Sequence, residues 1–157
     1  MHTDTLRNEE VAFHEIDNRE IIDQLLKLLG ENQVFLNKIQ HGQWNFNLFA
    51  PEEYSTIVNL LFNCGEKIAA QLKLYNGFVP AYMEVYLGVS EITEELERHS
   101  KAHVIQGILF SHRSLMNYLI SFFNDGIQEE GSDQAMLIDF LYTTHSTIFQ
   151  ILQDWCS

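Results

Sequence analysis

The sequence predicts an all-α fold, a four-helix bundle with a short extra helix between its second and third long helices. Three observations carry that expectation. Apolar residues recur at three- and four-residue spacing almost throughout, and no alternating strand pattern competes. Helix punctuation is confined to a few places: Pro51, Asn76-Gly77, Pro80, Gly88 and Gly131. Between them lie four stretches of about 22–35 residues and one of about seven, the proportions of a bundle. A length of 157 residues with 46% apolar content suits one domain with a real core.

Residues 1–16 read as a polar, acidic tail, and residues 17–157 as the bundle. Asp17 with Glu20 three positions on forms a capping box for a first helix over about 18–46. Its apolar positions are Ile21, Ile22, Leu25, Leu28, Leu29, Phe35, Leu36 and Ile39. Pro51 suits the first turn of a second helix, and Glu52 and Glu53 complement the positive end of its dipole. That helix continues through Ile57, Leu60, Leu61, Ile68 and Leu72 and stops at Asn76-Gly77. Pro80 opens a short apolar piece from Ala81 to Leu87, halted by Gly88. A third long helix is expected from about Thr93 to Gln128, ended by Gly131. Ser132 or Asp133 caps the last, which carries Leu137, Ile138, Leu141, Ile148, Ile151, Leu152 and Trp155.

The connections select a topology. About four residues join the first two long helices and about four the last two, so each pair can form an antiparallel hairpin. Only the middle connection is elaborate. A single crossover there favours a ferritin-like four-helix bundle, whose second and third helices run parallel.

Charge narrows the partners. Nine basic against 22 acidic residues give a net charge of −13, and no Lys/Arg cluster offsets it. Affinity for DNA draws on basic residues that displace counterions, so direct nucleic-acid binding is not expected and cations are the expected partners. No apolar run approaches the ~18–20 residues of a membrane span. The first ten residues lack the basic-then-apolar order of a secretory signal. Cys64 and Cys156, 92 positions apart, fit reduced thiols in a cytoplasmic protein.

From about residue 20 to 155 the chain resembles the Dps proteins, the mini-ferritins of bacteria. The resemblance rests on Lys38 six residues before Trp44, the Trp44-Asn45 pair, and a Pro-led second helix ending at Asn76-Gly77. It also rests on the short segment from Tyr82 to Leu87 leading into Ser90-Glu91-Ile92, and on Glu130-Gly131-Ser132-Asp133 before the last helix. It implies a hollow shell of twelve identical subunits that oxidises and stores iron. In the family, the iron-oxidation site lies between two subunits, with two His from one and an Asp and a Glu from the other. On this chain the first His position is Gln43, and the Asp and Glu positions are Glu66 and Ala70. No His lies between His41 and His99, so the second imidazole is also absent. A neutral amide is a poor ligand for ferrous iron, and Glu66 alone cannot hold two irons. The resemblance therefore implies a shell with a degenerate oxidation site, or one co-assembled with an intact relative. His41, two residues from Gln43, is the only near imidazole that could swing in.

Other ligand patterns are thin. The Glu-x-x-His motif of di-iron bundles is absent. Glu95, His99 and His103 follow one another at four-residue spacing on the third helix and so share one face, a spacing that chelates divalent metals but also occurs on plain polar faces. Glu91, Glu94, Glu95 and Glu97 suit a helix's first turn. Asp125, Glu129, Glu130 and Asp133 flank the last turn, where the family builds acidic pores; three copies would make a negative funnel, one copy a solvated turn. Trp44 is expected at a helix end or subunit interface. No nucleophile elbow, phosphate loop or dinucleotide fingerprint occurs, and haem is not expected. The leading expectation is a Dps-like cage that sequesters iron or other cations in an acidic lumen. The alternatives are a ferroxidase using His41, Gln43 and Glu66, and a structural or partner-binding shell without metal function.

Overall fold

The computed structural model describes residues 2–80, 83–89, 100–124 and 132–156, with side chains for 19–80, 84–89, 100–121 and 132–155. These residues form five α-helices and no strand: α1 (His2–Phe46), α2 (Pro51–Leu74), α3 (Met83–Val89), α4 (Lys101–Asn124) and α5 (Asp133–Cys156). None of the helices is long and apolar enough to cross a membrane, among the described residues.

Local chemistry sets most of the ends. The N–H of Asn47, at φ 51°, donates to the Gln43 carbonyl at 3.0 Å and closes α1 with a left-handed residue. Pro51 opens α2, and the Glu53 carboxylate accepts from the Ala50 N–H at 3.2 Å. At its other end Asn76 sits at φ 59°. Gly77 N–H donates to Leu72 O at 2.8 Å and Asn76 N–H to Lys73 O at 3.0 Å, the paired closure of a Schellman motif. The Ser132 hydroxyl caps α5 by accepting from Ala135 N–H at 3.2 Å.

Two starts differ from expectation. The helix α1 begins at His2, so Asp17 lies within it and is no N-cap. Residues 2–17 contain neither Gly nor Pro, and nothing in them stops a helix. The helix α4 begins at Lys101 rather than near Thr93, because the Ser100 hydroxyl accepts from the His103 N–H at 3.2 Å and fixes the N-cap there. In addition, α3 runs through Gly88 to Val89.

Helix α1 packs against α2, α3 and α4, and α5 packs against α2 and α4. Contacts fix the directions. Along α1, Lys27 lies by Tyr118, Phe35 by His112, and a Cβ on Gly42 would meet Ile108, so α4 runs antiparallel to α1. The Asn32 amide donates to Leu61 O at 3.0 Å across α1 and an antiparallel α2. Gln134 donates to the Tyr75 hydroxyl at 2.7 Å, and the Lys67 ammonium lies over the Phe140 ring, so α5 is antiparallel to α2. It follows that α2 and α4 run the same way, on opposite corners, with no close backbone approach between them. The connection between them carries α3, which seats on α1 at Gly30. There a Cβ would lie 2.7 Å from Val89 Cγ2 and 2.9 Å from the Tyr86 carbonyl. The Tyr86 hydroxyl donates to the Pro80 carbonyl and ties α3 to its own linker.

The core follows the helical period. It comprises Leu25, Leu28, Leu29, Phe35 and Ile39 on α1, Ile57, Leu61, Ile68 and Leu72 on α2, Val104, Ile108, Leu115 and Leu119 on α4, and Leu137, Ile138, Leu141, Ile148 and Leu152 on α5.

Candidate functional site

The end of α1 holds the positions singled out by sequence. The Gln43 carboxamide faces the α1–α2 loop: its Oε1 accepts from the Phe49 N–H at 2.9 Å, and its Nε2 donates to the Phe49 carbonyl at 3.2 Å. Nε2 also donates to Asn47 Oδ1 at 3.1 Å. An amide presents a donor and an acceptor side by side, as a peptide unit does, and here it satisfies both backbone groups of a residue whose side chain is buried. Phe49 in turn packs on Trp155, centroids 4.8 Å apart. Gln43 is thus a loop clamp, with both ends of its amide engaged.

His41 and Glu66 point to different places. His41 borders a small hollow with Lys38, Val104 and Ile108, between α1 and α4. The Asn45 Nδ2 stands 3.2 Å from His41 Nδ1 and donates to its carbonyl at 2.9 Å. Glu66 and Ala70 are exposed on α2, in a shallow groove of about 460 Å³ shared with Ala69, Lys73, Gly77, Phe78 and Val79. The structure does not bring His41, Gln43 and Glu66 together within one chain. Trp44 projects outward with 71% of its surface exposed.

Of the acidic positions flanking the last turn, Asp133 occupies the first turn of α5 and is exposed. Asp125, Glu129 and Glu130 lie outside the described residues, as do Glu91, Glu94, Glu95, Glu97 and His99. His103 is exposed near the start of α4, and its expected partners on one face, Glu95 and His99, lie outside the described residues.

A polar pair missed by sequence reading lies in the core. His112 on α4 and His145 on α5 are almost wholly buried, with His145 Nδ1 3.4 Å from His112 Nε2. Phe35 tilts against His112 at 5.3 Å, and Phe149 stacks over it at 6.2 Å and 12°. Burial lowers the His112 pKa to about 4. Burial and then the neighbouring imidazole lower that of His145 to about 3. Both rings are neutral at pH 7, so one can donate its N–H to the bare nitrogen of the other. The signal was present in the sequence: both residues fall in the apolar registers of their helices, four after Ile108 and four after Leu141.

Beside them, Cys64 is fully buried on α2, its thiol pushed up to about 12 by burial and partly offset by a hydrogen bond with Thr144. The bundle interior therefore holds these neutral groups alongside the buried Glu31 and Lys38 side chains. No group of three or more His, Cys, Asp or Glu residues able to hold a metal occurs among the described residues. No protein-family model and no curated protein sequence matches the chain.

Proposed function

We propose that this chain is the subunit of a ferritin-like, Dps-like shell that gathers iron or other cations by charge, with its inherited oxidation position converted to a structural clamp. The carrying observation is the helix order: α2 and α4 parallel on opposite corners, joined by a connection whose short helix packs on α1. A ferritin-like bundle requires that crossover, and an up-down bundle does not. Two further observations support the reading. Trp44, Phe62, Leu74, Phe78, Phe110 and Met136 are large apolar residues more than half exposed on the single chain, a surface suited to burial between copies. A net charge of −13 favours cation uptake into an enclosed volume.

The ferroxidase alternative loses support from Gln43, whose amide is committed to Phe49. Light scattering on the purified chain tests assembly, with a closed particle of about twelve chains of 18.3 kDa expected. Anaerobic ferrous loading followed by oxygen or peroxide tests the chemistry. Metal retained by the particle, with oxidation no faster than in buffer, is the expected result. A monomer overturns the shell, and fast stoichiometric oxidation overturns the conversion. Particles that retain no cation reduce the reading to a structural shell.

A further inference from the structure

A roomier cavity than the groove at Glu66 lies elsewhere, along the seam of α4 and α5. It is a groove of about 790 Å³, within the range of small-molecule pockets. Leu109, Met116, Phe149 and Leu152 supply its apolar surface, and the buried His112 ring stacked on Phe149 forms part of the wall. Its polar lining consists of hydroxyls and carboxamides, among them Tyr142, Ser146, Asn117 and Gln150.

The charge of this lining runs against that of the protein. The chain has 22 acidic residues, yet none lines the groove, and the one charged side chain there is Arg113. Among the described residues no carboxylate pairs with that exposed guanidinium. His112 is held neutral by burial, so it does not repel an apolar body. An apolar trough with one guanidinium, no described carboxylate on it, and uncharged hydrogen-bonding groups complements a molecule with an apolar body and one negative head.

We propose that the α4–α5 groove binds a small amphiphilic carboxylate, its head on the Arg113 guanidinium and its body along Leu109, Met116 and Phe149. A cationic amphiphile gains nothing from Arg113, and a neutral one forgoes the charge-assisted bonds. The groove is lined by one chain, so the inference touches the shell reading only in requiring that no second copy cover it.

The test uses the full-length chain and calorimetric titration with decanoate, decanol and decyltrimethylammonium below their micelle concentrations. Saturable one-to-one binding of decanoate is expected, about tenfold tighter than decanol, with no saturable binding of the ammonium compound. Arg113→Gln removes that preference by about tenfold, and Ser146→Phe fills the trough and abolishes binding, while circular dichroism shows an unchanged fold. Equal affinity for all three amphiphiles, or decanoate binding untouched by both substitutions, overturns the proposal. So does the absence of binding, including the case in which a second copy covers the groove.

Discussion

Gln43 holds Phe49 by both polar groups of its backbone, accepting from the N–H at 2.9 Å and donating to the carbonyl at 3.2 Å. The link spans the four-residue turn between α1 and α2 and fixes the angle at which α2 departs. Imidazole cannot make the same pair from one edge, because its two nitrogens point away from each other. Gln43→His therefore costs about 1–2 kcal/mol in urea unfolding, through at least one unsatisfied backbone group, and brings no gain in ferrous oxidation. A variant as stable as the parent, or one that oxidises iron, contradicts the clamp.

The buried imidazoles make stability depend on acid. In the unfolded chain both titrate near 6.5, whereas in the folded chain they take up protons only near pH 4 for His112 and pH 3 for His145. Below pH 6.5 the unfolded chain thus binds more protons, and stability falls as pH is lowered through that window. The contribution is fully present above pH 6.5. The slope approaches about 1.4 kcal/mol per pH unit for each histidine. Denaturant midpoints from pH 7 to pH 4.5 measure it, and His112→Phe/His145→Leu flattens the curve by the share of both.

Gly30→Ala weighs two opposing effects. Alanine raises helix propensity by about 1 kcal/mol. Its methyl, however, would meet the Tyr86 carbonyl at 2.9 Å, which is backbone and cannot rotate away. Displacing α3 costs more than the propensity gain, so a net loss of about 1–2 kcal/mol is expected in thermal unfolding. A rise in Tm means α3 is not seated on α1.

Thiol chemistry offers a third check on the core. In a Cys156→Ser background, Cys64 reacts negligibly with an aromatic disulfide reagent at pH 8 in the folded chain, since burial holds its thiol protonated to about pH 12. Full reaction returns in urea. Rapid labelling of the native chain indicates a bundle open between α2 and α5.

What could be read from the sequence was the chemistry that acts over a few residues. Pro51, Asn76-Gly77 and Ser132 announce helix ends because each acts on its own turn, and the structure uses all three as such. The start of α4 was misplaced because an acidic run resembles a first turn, while the Ser100 cap that decides the matter is one hydroxyl. The α1 start was misplaced because a capping box counts only where the chain leaves the helix, and nothing before Asp17 makes it leave. His112 and His145 sit in the apolar register of their helices, but a polar side chain at such a position does not itself announce burial. Gln43 was correctly placed at the end of the first helix, but its partner lies six residues on, across a turn whose shape local rules do not give. His41 and Glu66 were adjacent only by analogy, and the single chain sets them on different faces.

The corner-to-corner placement of α2 and α4 has a consequence for how the molecule is made. A bundle of successive neighbours can grow by adding one hairpin at a time, each resting on the last. Here α4 cannot lean on the segment synthesised just before it; it must return to α1, the earliest and most widely contacted element. Pairings such as Phe35 with His112 join distant parts of the chain, so ring closure must precede the reward of burial. The inner face that the α1–α2 hairpin presents is therefore covered only by helices from the second half of the chain.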